Sequence, residues 1–100
     1  MYAIVRDSQF DPRKFGQGRE QLDRFQSLHA GQPGYAGTLL VDAGDGRVLI
    51  VTMWEDEQLA IAGRDVLGPQ VQQLLGPLMT RESRIVGYGP VLATDLGKKP

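Results

Sequence analysis

Residues 34–54, GYAGTLLVDAGDGRVLIVTMW, decide the fold. Segments 35–43 and 47–54 are rich in Val, Leu, Ile, Thr and aromatic residues, which suit a pleated and packed surface. Asp42-Ala43-Gly44-Asp45-Gly46 separates them, and Asp45-Gly46 tolerates positive φ, so the stretch predicts a tight hairpin. The same loop sets two carboxylates among glycines. It lacks the ligand ladder and the closing glutamate of a calcium loop, which leaves the plain turn as the better reading.

The second of these strands does not alternate. Val48, Ile50, Thr52 and Trp54 point one way, while Leu49, Val51 and Met53 point the other. Both faces are apolar and both need cover. A four-stranded sheet of about six residues per strand has a face of roughly 400 Å². Leaving it in water would forgo on the order of 10 kcal/mol, comparable with the whole stability of a domain. Two helices cover one face. The other predicts a partner, most simply a second copy of the chain.

One hundred residues make one domain, and 1–94 is expected to form it, with 95–100 as a polar, flexible C-terminal tail. A net charge of −1 offers no field for nucleic acid or acidic lipid. The absence of cysteine removes disulfides, thiolate metal sites and thiol nucleophiles. The N-terminus reads as a strand and not as a signal peptide, and no apolar run reaches membrane-spanning length, so a soluble cytoplasmic protein is the expectation.

Taken in order, 2–6 reads as a strand. Asp11-Pro12 is a helix start, with a helix expected to about residue 30, its first turns weakened by Gly16 and Gly18 so that it can begin nearer Gly18. The hairpin follows. Glu55-Asp56-Glu57 opens a second helix whose acids suit the positive end of its dipole. Leu59, Ala60, Ala62 and Val66 are its expected buried face, and Gly68-Pro69 is expected to interrupt it before Val71, Leu74, Leu75 and Leu78 continue the stripe. Residues 82–92 read as a last strand, bent or bulged at Gly87, Gly89 and Pro90. The order β-α-β-β-α-β is the split βαβ arrangement of a ferredoxin-like α+β domain, a four-stranded antiparallel sheet with both helices on one face.

Three marks then stand out: Pro33-Gly34-Tyr35-Ala36-Gly37 opening the second strand, Gly46-Arg47-Val48 opening the third, and Trp54 closing it before an acidic helix start. In these the chain resembles the antibiotic biosynthesis monooxygenase (ABM-type) family of the dimeric α+β barrels. The resemblance implies a homodimer joined through the open sheet face and the C-terminal strand, with a pocket between sheet and helices. It also implies oxygenation of a small aromatic or apolar substrate without a cofactor. Two catalytic sets of that family are incomplete here. Ile50 stands where polyketide-oxidising members carry an Asn, and Arg64 stands where haem-degrading members carry a His. The chain has no Asn at all.

The candidate site residues each have a plain alternative. His29 is the lone histidine, able to act as a general base toward a phenol or to cap the end of the first helix. Trp54 can stack on an aromatic substrate or anchor the core. Arg6 shares the parity of Ile4 and can point into a pocket to hold an oxyanion, or lie at the sheet rim paired with an acid. Tyr35 and Tyr88 can bond a ligand or sit at a dimer interface. Arg64 reads as solvated. One His without Cys makes no metal site, and no nucleophile motif or phosphate loop is present. An oxygenase, a non-enzymatic homodimeric ligand-binding or assembly module, and an isomerase or lyase using one acid/base are the readings these residues admit.

Overall fold

The computed structural model describes residues 1–16 and 18–95. Four strands and three helices follow one another: β1 (Tyr2–Phe10), α1 (Pro12–Phe15), α2 (Arg19–Ala30), β2 (Tyr35–Gly44), β3 (Arg47–Trp54), α3 (Glu57–Leu75) and β4 (Met79–Pro90), with a 3₁₀ turn at Gly76–Leu78. The sheet is antiparallel in the order β2-β3-β1-β4, which is the ferredoxin-like arrangement. Of the expected tail, all but Asp95 lies outside the described residues.

The hairpin forms as its turn chemistry requires. Asp45 and Gly46 take φ of 55° and 83°, the pair of positive values that a two-residue turn needs to match strand twist. A side chain at Gly46 would also strike the Phe10 carbonyl, whose oxygen lies across from it. Asp11 caps α1 by accepting from the Arg13 N–H at 2.9 Å, and Asp56 caps α3 by accepting from Leu59 N–H at 2.8 Å.

Several boundaries differ from expectation. The first helix is two helices, since α1 stops at Gly16 and α2 starts from Gly18. Strands β1 and β4 are longer than the apolar runs suggested, because pairing continues through Asp7–Phe10 and Met79–Arg81. Helix α3 is not interrupted at Gly68-Pro69 but runs through it. Proline removes the bond to the Asp65 carbonyl, but Asp65 and Pro69 are both exposed, so water can satisfy that oxygen. The helix buries Ala60 and Leu75 as expected, but with Gly63 and Leu67 in place of Ala62 and Val66. Val66 is 53% exposed and Ala62 is exposed.

The packed core clusters lie on one side of the sheet, with Met53 buried on the other. Tyr2, Ile4, Val48, Ile50 and Trp54, all of one parity, pack with Phe25, Ala60, Leu67 and Leu75 of the helices. The opposite parity carries Val5, Leu49 and Val51, half-buried, with Leu39 and Val41 exposed. At one end of this open face Asp7 is buried under three guanidinium groups: Arg47 at 3.2 Å, Arg84 at 3.4 Å and Arg81 at 3.6 Å. Its hydrogen bond from Arg47 outweighs burial and holds the carboxyl below its ordinary value of 3.8. A depressed carboxyl contributes stability above the unfolded value and loses it as pH falls through the folded one. Thermal melting should therefore drop with acidification below pH 3.8, and Asp7→Asn should be less stable at neutral pH yet decline less steeply in that acid range.

Candidate functional site

A cavity of about 120 Å³ opens between the sheet and α3. Strand parity puts Ile4, Arg6 and Ser8 of β1 beside Thr52 and Trp54 of β3 on its floor. Phe25 and His29, one helical turn apart on α2, close one side. Arg64, Gly68 and Gln72 of α3, at four-residue steps, form the other. A side chain at Gly68 would meet nothing within 4 Å, so the helix leaves space there. An apolar cavity of about 150 Å³ takes one benzene ring, so a volume of about 120 Å³ encloses a single ring. A polycycle, a flavin or a haem would have to extend through the mouth.

His29 is 6% exposed. Its Nδ1 lies 2.8 Å from the Phe25 carbonyl, which can only accept, so Nδ1 carries the hydrogen and Nε2 is the unprotonated nitrogen of the neutral ring. Burial pushes the imidazole below its ordinary 6.5, more than the Phe25 bond raises it, and the charge of Arg6 adds to the lowering. At neutral pH the ring is a free base. It belongs to an aromatic cluster, with ring centroids 4.3 Å from Phe25, 5.7 Å from Tyr35 and 6.3 Å from Trp54.

Trp54 is 2% exposed and serves as core anchor and cavity wall together. Its six-membered ring fits against α3 because residue 63 is glycine, where any Cβ would collide with it. Its Nε1–H is buried with no acceptor among the described residues. Tyr35 meets the Trp54 ring edge-on at 5.6 Å and 75°, and its hydroxyl shares a short hydrogen bond with Thr38. It buttresses Trp54 and does not line the cavity.

Arg6 points into the cavity and not to an acidic partner at the rim. Its guanidinium makes no ion pair or hydrogen bond among the described residues, and burial, then the charge of Arg64, lower its basicity. Tyr88 is 72% exposed and outside the cavity lining, because β4 is the sheet edge and α3 does not reach over it. Arg64 is exposed, as expected, and its side chain also borders the cavity. The signal for it was present, since it follows the buried Ala60 by four residues and precedes the buried Leu67 by three. Ser8, wholly buried, donates to Ser83 Oγ across β1 and β4 at 2.9 Å. No group of three or more potential metal ligands exists among the described residues.

The arrangement unites a neutral base, an aromatic wall and two cations around an apolar space the size of one ring. No family model matches the chain, and no curated protein matches it in sequence. Solved structures do match in fold. The cofactor-independent oxygenase SnoaB from Streptomyces nogalater superposes with a TM-score of 0.73 at 18% identity, over 93% of this chain and 94% of that one. A Nitrosomonas europaea protein provisionally named an antibiotic biosynthesis monooxygenase gives 0.74 at 14% identity, over 93% and 100%. A protein of unknown function from the same organism gives 0.77 at 14% identity, over 95% and 92%. The chain thus has the α+β fold of ABM-type structures.

The imidazole of His29 should titrate below 6.5 when followed by NMR of its ring hydrogens. As pH falls through 6.5 the unfolded chain takes up this proton first, so stability from this group decreases toward the folded midpoint and is unaffected above 6.5. Arg6→Met should raise the midpoint, since it removes the repelling charge and leaves burial in place.

Proposed function

We propose that the protein is a cofactor-independent oxygenase of a small aromatic substrate, with His29 as base, Trp54 as the wall the ring packs against and Arg6 as counter-charge to the anion formed. The observation that carries this reading is His29: a buried, neutral imidazole whose Nδ1 is tied to Phe25 and whose Nε2 is left free, on the wall of a cavity that also holds an unpaired guanidinium. The fold shared with SnoaB supports it. Ile50, in the position where polyketide-oxidising relatives of the resemblance carry Asn, packs into the apolar core, so that set is not what performs the chemistry here.

The chemistry balances with O₂ as the sole oxidant. His29 Nε2 takes the proton of a ring hydroxyl, and the phenolate, held by Arg6, delivers electrons to O₂. A carbon–oxygen bond forms on the ring, the O–O bond breaks, one oxygen stays as a quinone carbonyl and the other leaves as water. The C–H bond at the oxygenated carbon breaks, the substrate supplies all four electrons, and that ring proton together with the one on His29 converts the departing oxygen to water. An enclosed, apolar cavity suits this, because bulk water would solvate the phenolate and quench it.

The open sheet face supports a homodimer with that face as the interface. Leu39 and Val41 are 43% and 47% exposed there beside Val5, Leu49 and Val51. Light scattering should give twice the chain mass of 11.0 kDa, and Val51→Glu should shift it toward the monomer. A wild-type monomer would remove the dimer.

Oxygen uptake with one-ring dihydroxybenzenes, followed with an electrode, tests the activity. His29→Ala should lower the rate by about 10²–10⁴-fold while the melting profile stays cooperative. Uptake that is unchanged in His29→Ala would sink the reading, and ligand binding with no uptake for any substrate would leave a non-enzymatic binding module.

A further inference from the structure

Charge in the cavity exceeds what the proposed chemistry needs. A phenolate requires one counter-charge, yet two guanidinium groups, Arg6 and Arg64, line the space, and no carboxylate does. Arg6 has no acidic partner among the described residues. Arg64 has one, Asp65, with its Nε 3.7 Å from the carboxylate. Arg64 is 43% exposed and Asp65 69%, so the contact is screened by water and leaves the Arg64 charge available to a ligand in the cavity. The half-buried charge of Arg6, with the like charge of Arg64 acting on it, is costly beside Ile4 and Trp54 unless an anion joins it. The indole N–H of Trp54 is a further buried donor without an acceptor. Arg6 is thus a charged donor on this wall without an acceptor among the described residues, and an oxyanion is the partner that fits it.

From the unpaired guanidinium of Arg6, the second guanidinium of Arg64 beside the same space and the one-ring volume, we propose that the cavity selects a monocyclic aromatic carboxylic acid bearing a ring hydroxyl. The ring fits a space of about 120 Å³. A planar carboxylate matches the fork of a guanidinium and can take two parallel N–H bonds from it. When the hydroxyl is deprotonated the ligand carries two negative charges against two positive ones. Arg6 and Arg64 are then the specificity-determining residues, and Arg64 is the one that distinguishes an acid from a simple phenol. This rests on the cavity being the substrate site of the proposed oxygenase.

The wild-type protein is titrated by calorimetry with 4-hydroxybenzoate, its methyl ester, phenol and 6-hydroxy-2-naphthoate. The acid is expected to bind at least about tenfold more tightly than the ester or phenol, the scale of a hydrogen bond to a charged group, and added salt should narrow the gap. The naphthoate should bind more weakly than the benzoate, because its second ring exceeds the enclosed volume. Arg64→Met should lower affinity for the acid by about tenfold and leave phenol within about twofold, whereas Arg6→Met, which also removes the counter-charge to the phenolate, should weaken both, with Arg6→Lys intermediate. Equal binding of acid and ester by the wild type overturns the inference even if a variant fails to fold, as does absence of acid binding. The two readings separate cleanly. Acid-selective binding without O₂ uptake keeps the anion site and removes the oxygenase, whereas uptake with phenols and no preference for the acid does the reverse.

Discussion

Trp54 packed on Gly63 is the contact on which the rest of the molecule depends. It ties the last residue of β3 to the second turn of α3 and so fixes how closely the helix approaches the sheet. A glycine is needed there because the indole takes the volume a side chain would use. Five residues on, Gly68 has the opposite effect: nothing occupies the space a side chain would reach, and the cavity lies below it. One glycine lets the helix touch the sheet, and another keeps it from filling the space it encloses.

That geometry explains why the site has its chemical character. The cavity forms on the covered face, so its walls are drawn from the core: Ile4, Leu67, Leu75 and Trp54. Polar groups that reach such a space lose hydration and must find partners. Ser8 and Ser83 find each other, and His29 finds the carbonyl one turn back. Arg6 and the Trp54 N–H do not find partners among the described residues. Their unmet demand is for negative charge. The electrostatics of the two faces contrast: on the open face a single buried carboxylate satisfies three arginines, while on the covered face two arginines have no carboxylate between them.

The resemblance to ABM-type proteins and the structural matches agree on fold, and the matches reach 18% identity at most among those described. Likeness at that level speaks to backbone and not to chemistry. The functional argument therefore rests on this chain's own residues. Trp54 is the member of the family's site pattern that recurs here. It lines the cavity with a histidine from α2 and an arginine from α3 that are thirty-five positions apart in the chain.

Much of the fold was legible in the sequence because it follows from periodicity. The parity of Val48, Ile50, Thr52 and Trp54, the Asp45-Gly46 turn and the order of elements fix a ferredoxin-like sheet with one covered face. The same parity placed Arg6 with Ile4. The sequence could not decide between cavity and rim for Arg6, since a strand sets a side chain's face but not what covers it. Nor could it show that α3 would pass through Pro69. A lost hydrogen bond is cheap on an exposed face and costly on a buried one, and exposure is a property of the packed molecule. For the same reason Leu67 and not Val66 is buried, because a helix turned by one residue from its expected rotation presents a different stripe. Residue spacing determined which side chains share a face. Only the tertiary structure decided which of those faces met, and so which charges were left in the cavity without a partner.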